Sequence, residues 1–105
     1  MRVLIIERNL LWSSRLANSV RGLGHEAQVV DVAPDELDAD VAIINLAEPD
    51  MDAISRLNAR SIKIVAHAGH KEKERLAHGR SAGCELVVTN SELTFKLEEI
   101  LARAV

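Results

Sequence analysis

The residues of this chain best suited to chemistry collect behind its apolar runs. Glu7 and Arg8 follow VLII, Asn45 closes VAII, His67 and Ala68 close KIVA, and Asn90 stands two residues past LVV. Glu7 and His67 are a carboxylate and an imidazole, an acid–base pair if the fold brings them together. Asn45 is an amide, which is no nucleophile, where a carboxylate would do chemistry. Arg8 is charged at any physiological pH, carries five donors and repels a divalent cation. It reads as a built-in counter-ion for Glu7, Glu48 or Asp50, or else as a residue pointing to solvent. His67, His70 and His78 match no zinc spacing and have no Cys nearby, so they read as ordinary surface or loop-end histidines, and no metal is expected. Ser13 and Ser14 open a helix that offers N–H groups to an anion. RNLLWSS, however, has no glycine to bring the backbone close, and Leu10 and Leu11 make the mouth apolar, so no cofactor is expected.

The elements that must position these residues alternate along the chain. Strands are expected at Arg2–Ile6, Glu26–Val32, Val41–Leu46, Ile62–His67 and Leu86–Thr89. Between the first two, a helix from about Leu11 to Leu23 places Trp12, Leu16, Val20 and Leu23 on one stripe, with Gly22 and Gly24 as its stop. Only Ala33 to Asp40 separates the second and third strands, room for about one helical turn started by Pro34. Short helices follow at Met51–Asn58 and Lys71–Arg80. Ser91 is the expected N-cap of a last helix, Glu92–Arg103, whose inner face carries Leu93, Leu97, Ile100, Leu101 and Ala104. Apolar strands alternating with helices specify a parallel sheet covered on both faces, with working loops at the carboxyl ends of the strands.

Composition narrows the function classes. The chain has 105 residues, 48% of them apolar and 28% charged, one domain's worth with a core built from aliphatic side chains, since there is one Trp, one Phe and no Tyr. A net charge of −3 and no basic stripe argue against direct nucleic-acid binding. The apolar runs are strand-sized and no small-residue cleavage site follows them, so neither a membrane span nor a secretory signal is expected and the cytoplasm is the expected location. The single Cys84 fits a reducing compartment and reads as a small buried hydrophobe.

The stretches VLIIERN, RGLGHEAQVV, VAIINLAEPDMDAISRL, KIVAHAG and SAGCELVVTNSEL, in that order, resemble a response-regulator receiver (CheY-like) domain. The resemblance implies a flavodoxin-like, doubly wound five-stranded parallel sheet of order 2-1-3-4-5, here with its second helix shortened. In an active receiver the third strand ends on a phospho-acceptor aspartate, an acidic pair after the first strand helps hold Mg²⁺, and a Ser or Thr and a Lys complete the pocket. Carried over position by position, these roles fall on Asn45, on Glu7 and Arg8, on Ala68 (or on His67 with a shift of one), and on Asn90. Glu7 keeps one half of the acidic pair and Arg8 reverses the charge of the other, while Asn45, Ala68 or His67, and Asn90 lack the required group. The switch aromatic falls on Val87, and Ser91 stands where a cis-proline usually follows the Lys.

Receivers dock partners, and pair with themselves, through the face of the fourth helix, the fifth strand and the last helix. In this sequence Phe95, Val87, Lys71 and Arg75 fall on that face, and by helical angle Phe95 points outward. The expected protein is therefore a receiver-like adaptor occupying residues 1–105 with no output domain. It would bind protein partners, another copy of itself among them, without phosphorylation and without enzymatic activity. The rival reading is a small-ligand binder or residual enzyme using the carboxyl-end crevice near Glu7, Asn45 and His67.

Overall fold

A computed structural model of the chain describes residues 1–34, 38–47 and 51–105. Five strands, β1 (Arg2–Ile6), β2 (Glu26–Val30), β3 (Val41–Asn45), β4 (Lys63–Ala68) and β5 (Leu86–Thr89), form one parallel sheet in the order β2-β1-β3-β4-β5. The helices are α1 (Leu10–Gly22), α2 (Met51–Ala59), α3 (Lys73–Ser81), α4 (Asn90–Phe95) and α5 (Leu97–Ala104). This is the flavodoxin-like, doubly wound arrangement. Among the described residues no helix is long and apolar enough to cross a membrane.

The strands of the sheet's centre read as unbroken apolar runs because side chains alternate between two covered faces. Val3, Ile5, Val41, Ile43, Val65 and Val88 point to one face, where Leu16 and Val20 of α1 meet Leu93 of α4 and Leu97, Ile100 and Leu101 of α5. Leu4, Ala42, Ile44 and Ile64 point to the other, beneath Ala53, Ile54 and Leu57 of α2. Leu76 of α3 closes a third, smaller cluster with Leu46, Ala66 and Ala68.

The ends of the elements differ from expectation in ways that have local causes. Helix α1 starts one residue early because the side chain of Asn9 accepts from the Trp12 N–H at 3.1 Å. It stops where Gly24 takes φ +89° and donates to the Arg21 carbonyl. Leu23, expected in the core stripe, lies at that cap and is 36% exposed, whereas Trp12 is half-buried. Strand β2 ends at Val30, leaving Val32 exposed, and β4 is displaced one residue toward Ala68. The helical turn expected in Ala33–Asp40 falls partly on residues 35–37, outside the described residues; Ala33, Pro34 and residues 38–40 are not helical. Lys71 lies in the turn ahead of α3, and Arg75 in the helix itself.

The last helix is divided and its cap is Thr89, not Ser91. Thr89 accepts from the Glu92 N–H at 3.2 Å while the Glu92 carboxylate accepts from the Thr89 N–H at 3.0 Å, a complete capping box. Lys96, at φ −125° and ψ 28°, separates α4 from α5. The interruption is local, since the Lys96 N–H still reaches the Glu92 carbonyl at 2.8 Å and the Ile100 N–H reaches the Lys96 carbonyl at 3.0 Å. Thr89→Ala removes one half of the box and is expected to lower stability by about 1 kcal/mol, read as a lower urea midpoint with an unchanged slope.

Candidate functional site

Period-2 alternation decides which strand-end side chains meet. Ile5, Ile43 and Val65 share one face of the sheet, so Glu7, Asn45 and His67, each two residues further on, emerge on that same face at its carboxyl edge. Asn45 and His67 are register partners across β3 and β4. The first residue of α4, Asn90, joins them from the end of β5. Ala68 turns the other way, into the cluster of Leu46, Ala66 and Leu76. Of the two positions that the resemblance offers for the hydroxyl, His67 therefore faces the pocket and Ala68 packs behind the sheet.

These groups are bonded to one another in two pairs. The Asn45 side-chain N–H donates to Glu7 Oε1 at 2.9 Å, and Asn45 Oδ1 accepts from the Ala47 N–H at 2.9 Å. Glu7 Oε2 accepts from the main-chain N–H groups of Arg8 at 3.1 Å and Asn9 at 3.4 Å. Glu7 is thus a nearly buried carboxylate satisfied by three N–H donors. The second pair is His67 Nδ1 and Asn90 Oδ1, 2.7 Å apart, with the imidazole donating. His67 is buried, contrary to its reading as a surface or loop-end histidine, and its ring meets Trp12 edge-on with centroids 5.8 Å apart. Burial pulls the His67 pKa below its usual value, against the opposing effects of the Asn90 bond and the Glu7 charge. His70 and His78 are exposed.

Arg8 is exposed beside this pocket, and two of the acidic partners expected for it, Glu48 and Asp50, lie outside the described residues. Ser13 is buried with its hydroxyl donating to the Leu10 carbonyl at 3.2 Å, which turns it away from any anion at the helix start. Among the described residues no group of three or more His, Cys, Asp or Glu side chains is placed to hold a metal ion. The crevice bounded by Glu7, Arg8, Asp31, Ile44 and Asn45 holds about 40 Å³, the space of a water molecule or so. Cys84 is half-buried, and burial pushes its thiol pKa up, away from reactivity.

The expected docking face is a separate region. Phe95 is 84% exposed at the end of α4. Val87 is partly covered, Lys71 is exposed, and Arg75 of α3 pairs at 2.7 Å with Glu72, the N-cap residue ahead of that helix. Sequence reasoning missed the links of His67 to Asn90 and Trp12. Parity was the available signal, because Glu7, Asn45 and His67 all extend the same alternating face.

No protein-family model matches the chain. The transcriptional regulatory protein PhoP of Escherichia coli K12 is 32% identical over 117 aligned positions, covering 98% of this chain and 50% of that protein. The virulence transcriptional regulatory protein PhoP of Shigella flexneri gives the same figures. The chain thus spans about half the length of the curated relatives it matches. Among solved structures, an orphan response regulator of H. pylori superimposes with TM-score 0.80 at 19% identity, covering 100% of this chain and 97% of that one. The chemotaxis protein CheY4 of Vibrio cholerae gives 0.79 at 14%, covering 99% and 98%, and FixJ-N gives 0.81 at 18%, covering 98% and 91%. At these identities the structures show the fold.

Proposed function

Starting from a response-regulator receiver domain of the CheY-like kind, as homology to PhoP and the structural neighbours support, we propose that this chain signals without phosphorylation, by binding partner proteins. The observation that carries the reading is the Asn45–Glu7 hydrogen bond. In a working receiver the two positions would be carboxylates, whose mutual repulsion calls for Mg²⁺. Here an amide N–H bridges them, so the carboxyl ends of β1 and β3 are tied together with no cation and no phosphoryl group. Arg8 adds a positive charge where the metal would sit, and Asn90 is committed to His67 rather than to a phosphate.

The partner surface in this reading is the exposed side of α3, β5, α4 and α5, with Phe95 as its anchor and a second copy of the chain as one possible occupant. The setting is cytoplasmic and the partners are proteins rather than nucleic acid. The rival of a small-ligand or enzymatic site gains nothing from the geometry. Glu7 and His67 are bonded to different partners, and the crevice beside Glu7 has no room for a metabolite.

The test uses Trp12, the chain's one tryptophan, which reports on the pocket through His67. Acetyl phosphate or beryllofluoride with Mg²⁺ is expected to leave its fluorescence and the intact mass unchanged. A saturable response to either reagent refutes the reading.

A further inference from the structure

We infer that the groove between α1 and α4 is the seat for Phe95 of a second copy of this chain, so that two copies exchange rings across a two-fold axis. The inference rests on the reading of the protein as one that works by binding proteins, and it names both the partner and the seat. Helices α1, α4 and α5 lie on one face of the sheet, where Leu16, Leu93 and Leu97 are buried together. Above these three side chains the surface opens into a groove of about 120 Å³, walled by half-buried Trp12 and rimmed by Arg15 and Thr94. An apolar cavity of roughly 150 Å³ takes up a benzene ring. The groove therefore has the size and the floor for one aromatic side chain.

The ring that fits stands next to it. Phe95 directly follows Thr94 and is 84% exposed. Successive helical residues point about 100° apart, so Thr94 faces the groove while Phe95 stands on the outer surface beside it. A knob beside its own hole is what a self-complementary contact requires. A two-fold axis between them puts each Phe95 into the other copy's groove, and the contact closes on itself instead of running on into a filament.

Charge favours the same occupant. Arg15 lies on the α1 rim, and Glu98, one helical turn past Thr94, lies on the opposite one. Both are exposed, and among the described residues neither takes part in an ion pair. The same axis lays the helices of the two copies antiparallel and brings Arg15 of one toward Glu98 of the other, twice over. The contact is small, one anchor ring and one ion pair from each copy, and belongs to the weakly associating class, so the dimer is expected at high-micromolar concentration.

The experiment is sedimentation of the full chain at roughly 10 µM and roughly 1 mM, with Trp12 emission recorded alongside, since this one tryptophan walls the groove. The wild type is expected to shift toward dimer at the higher concentration and to change its emission as it does. Phe95→Ala is expected to remain monomeric with constant emission. Arg15→Glu sets like charges against each other and is expected to weaken the dimer at least about tenfold, and adding Glu98→Arg is expected to restore it to within about threefold of the wild type. All three side chains are exposed, so circular dichroism should show each variant folded. A monomeric wild type at the higher concentration, a Phe95→Ala protein that dimerises, a dimer indifferent to Arg15→Glu, or a double exchange that fails to restore it overturns the seat. None of these results touches the reading beneath it, which stands or falls on the response to acetyl phosphate and beryllofluoride.

Discussion

Asn45→Asp is expected to destabilise the protein by about 2–4 kcal/mol near pH 7.5 without making it a phospho-acceptor. The Asn45 amide nitrogen lies 2.9 Å from Glu7 Oε1. Replacing that N–H by a carboxylate oxygen removes the bond and sets two acids face to face in a largely buried place. The lost hydrogen bond contributes about 1 kcal/mol, and Coulomb repulsion between unit charges ~4 Å apart adds up to about 4 kcal/mol at an effective dielectric constant near 20, before relaxation reduces it. The pair would respond by keeping one proton, so that an apparent pKa of the folded variant rises above the unfolded carboxylate value. A raised acid pKa means the folded state binds more protons, and the variant regains stability as the pH falls through that pKa. Urea midpoints at pH 7.5 and 5 check this: the gap to wild type should be wide at the higher value and narrow at the lower. A constant gap would show that repulsion with Glu7 is not the cause. Phosphorylation needs more than the nucleophile, because Arg8 still stands against Mg²⁺ and neither Ala68 nor Asn90 can stabilise the incoming charge. A single variant that gains a phosphoryl group from acetyl phosphate would refute the metal argument.

The fold was legible because its signals are redundant along the chain. The runs of residues 3–6, 41–44 and 64–66 within β1, β3 and β4 are apolar at every position, a pattern that suits strands buried on both faces, and the intervening stripes at Leu16–Val20 and Leu97–Leu101 face them. The site was legible residue by residue but not in its wiring. Each strand end could be located, yet which end-group bonds to which depends on the register of β4 against β3 and on where α4 begins. His67 illustrates the limit. A histidine one residue before the end of a strand is as compatible with solvent as with the core, and only the ring of Trp12 above it and Asn90 beside it make it a buried group. Thr89, by contrast, carried its signal in plain sight. It stands three residues ahead of Glu92 in the spacing of a capping box, which Ser91 does not. The interruption at Lys96 left no trace of that kind, since the apolar positions on either side keep helical spacing through it.

Leu93→Ala should be the most damaging truncation on α4, lowering stability by about 2–5 kcal/mol, while Phe95→Ala two residues away should change it by no more than about 0.5 kcal/mol. Leu93 is wholly buried among Val88, Leu97, Ile100 and the α1 stripe, so removing its isobutyl group leaves a void that a sheet-backed core cannot fill by collapse. It is also the one fully buried side chain of a six-residue helix, which has little else to hold it down. Phe95 is 84% exposed and is not one of the core residues. Its removal deletes apolar surface already in contact with water and should not alter the urea midpoint. The two variants therefore separate packing from recognition on one short element. Leu93→Ala is expected to lose the near-ultraviolet signal of Trp12 and melt early. Phe95→Ala is expected to fold as the wild type does and to lose partner capture, or the shift toward dimer in sedimentation at high concentration if the partner is a second copy. A Phe95→Ala protein that keeps its partners and its sedimentation behaviour removes this side chain from the interface, because an anchor aromatic at the centre of an interface costs at least about 1–2 kcal/mol of binding when truncated.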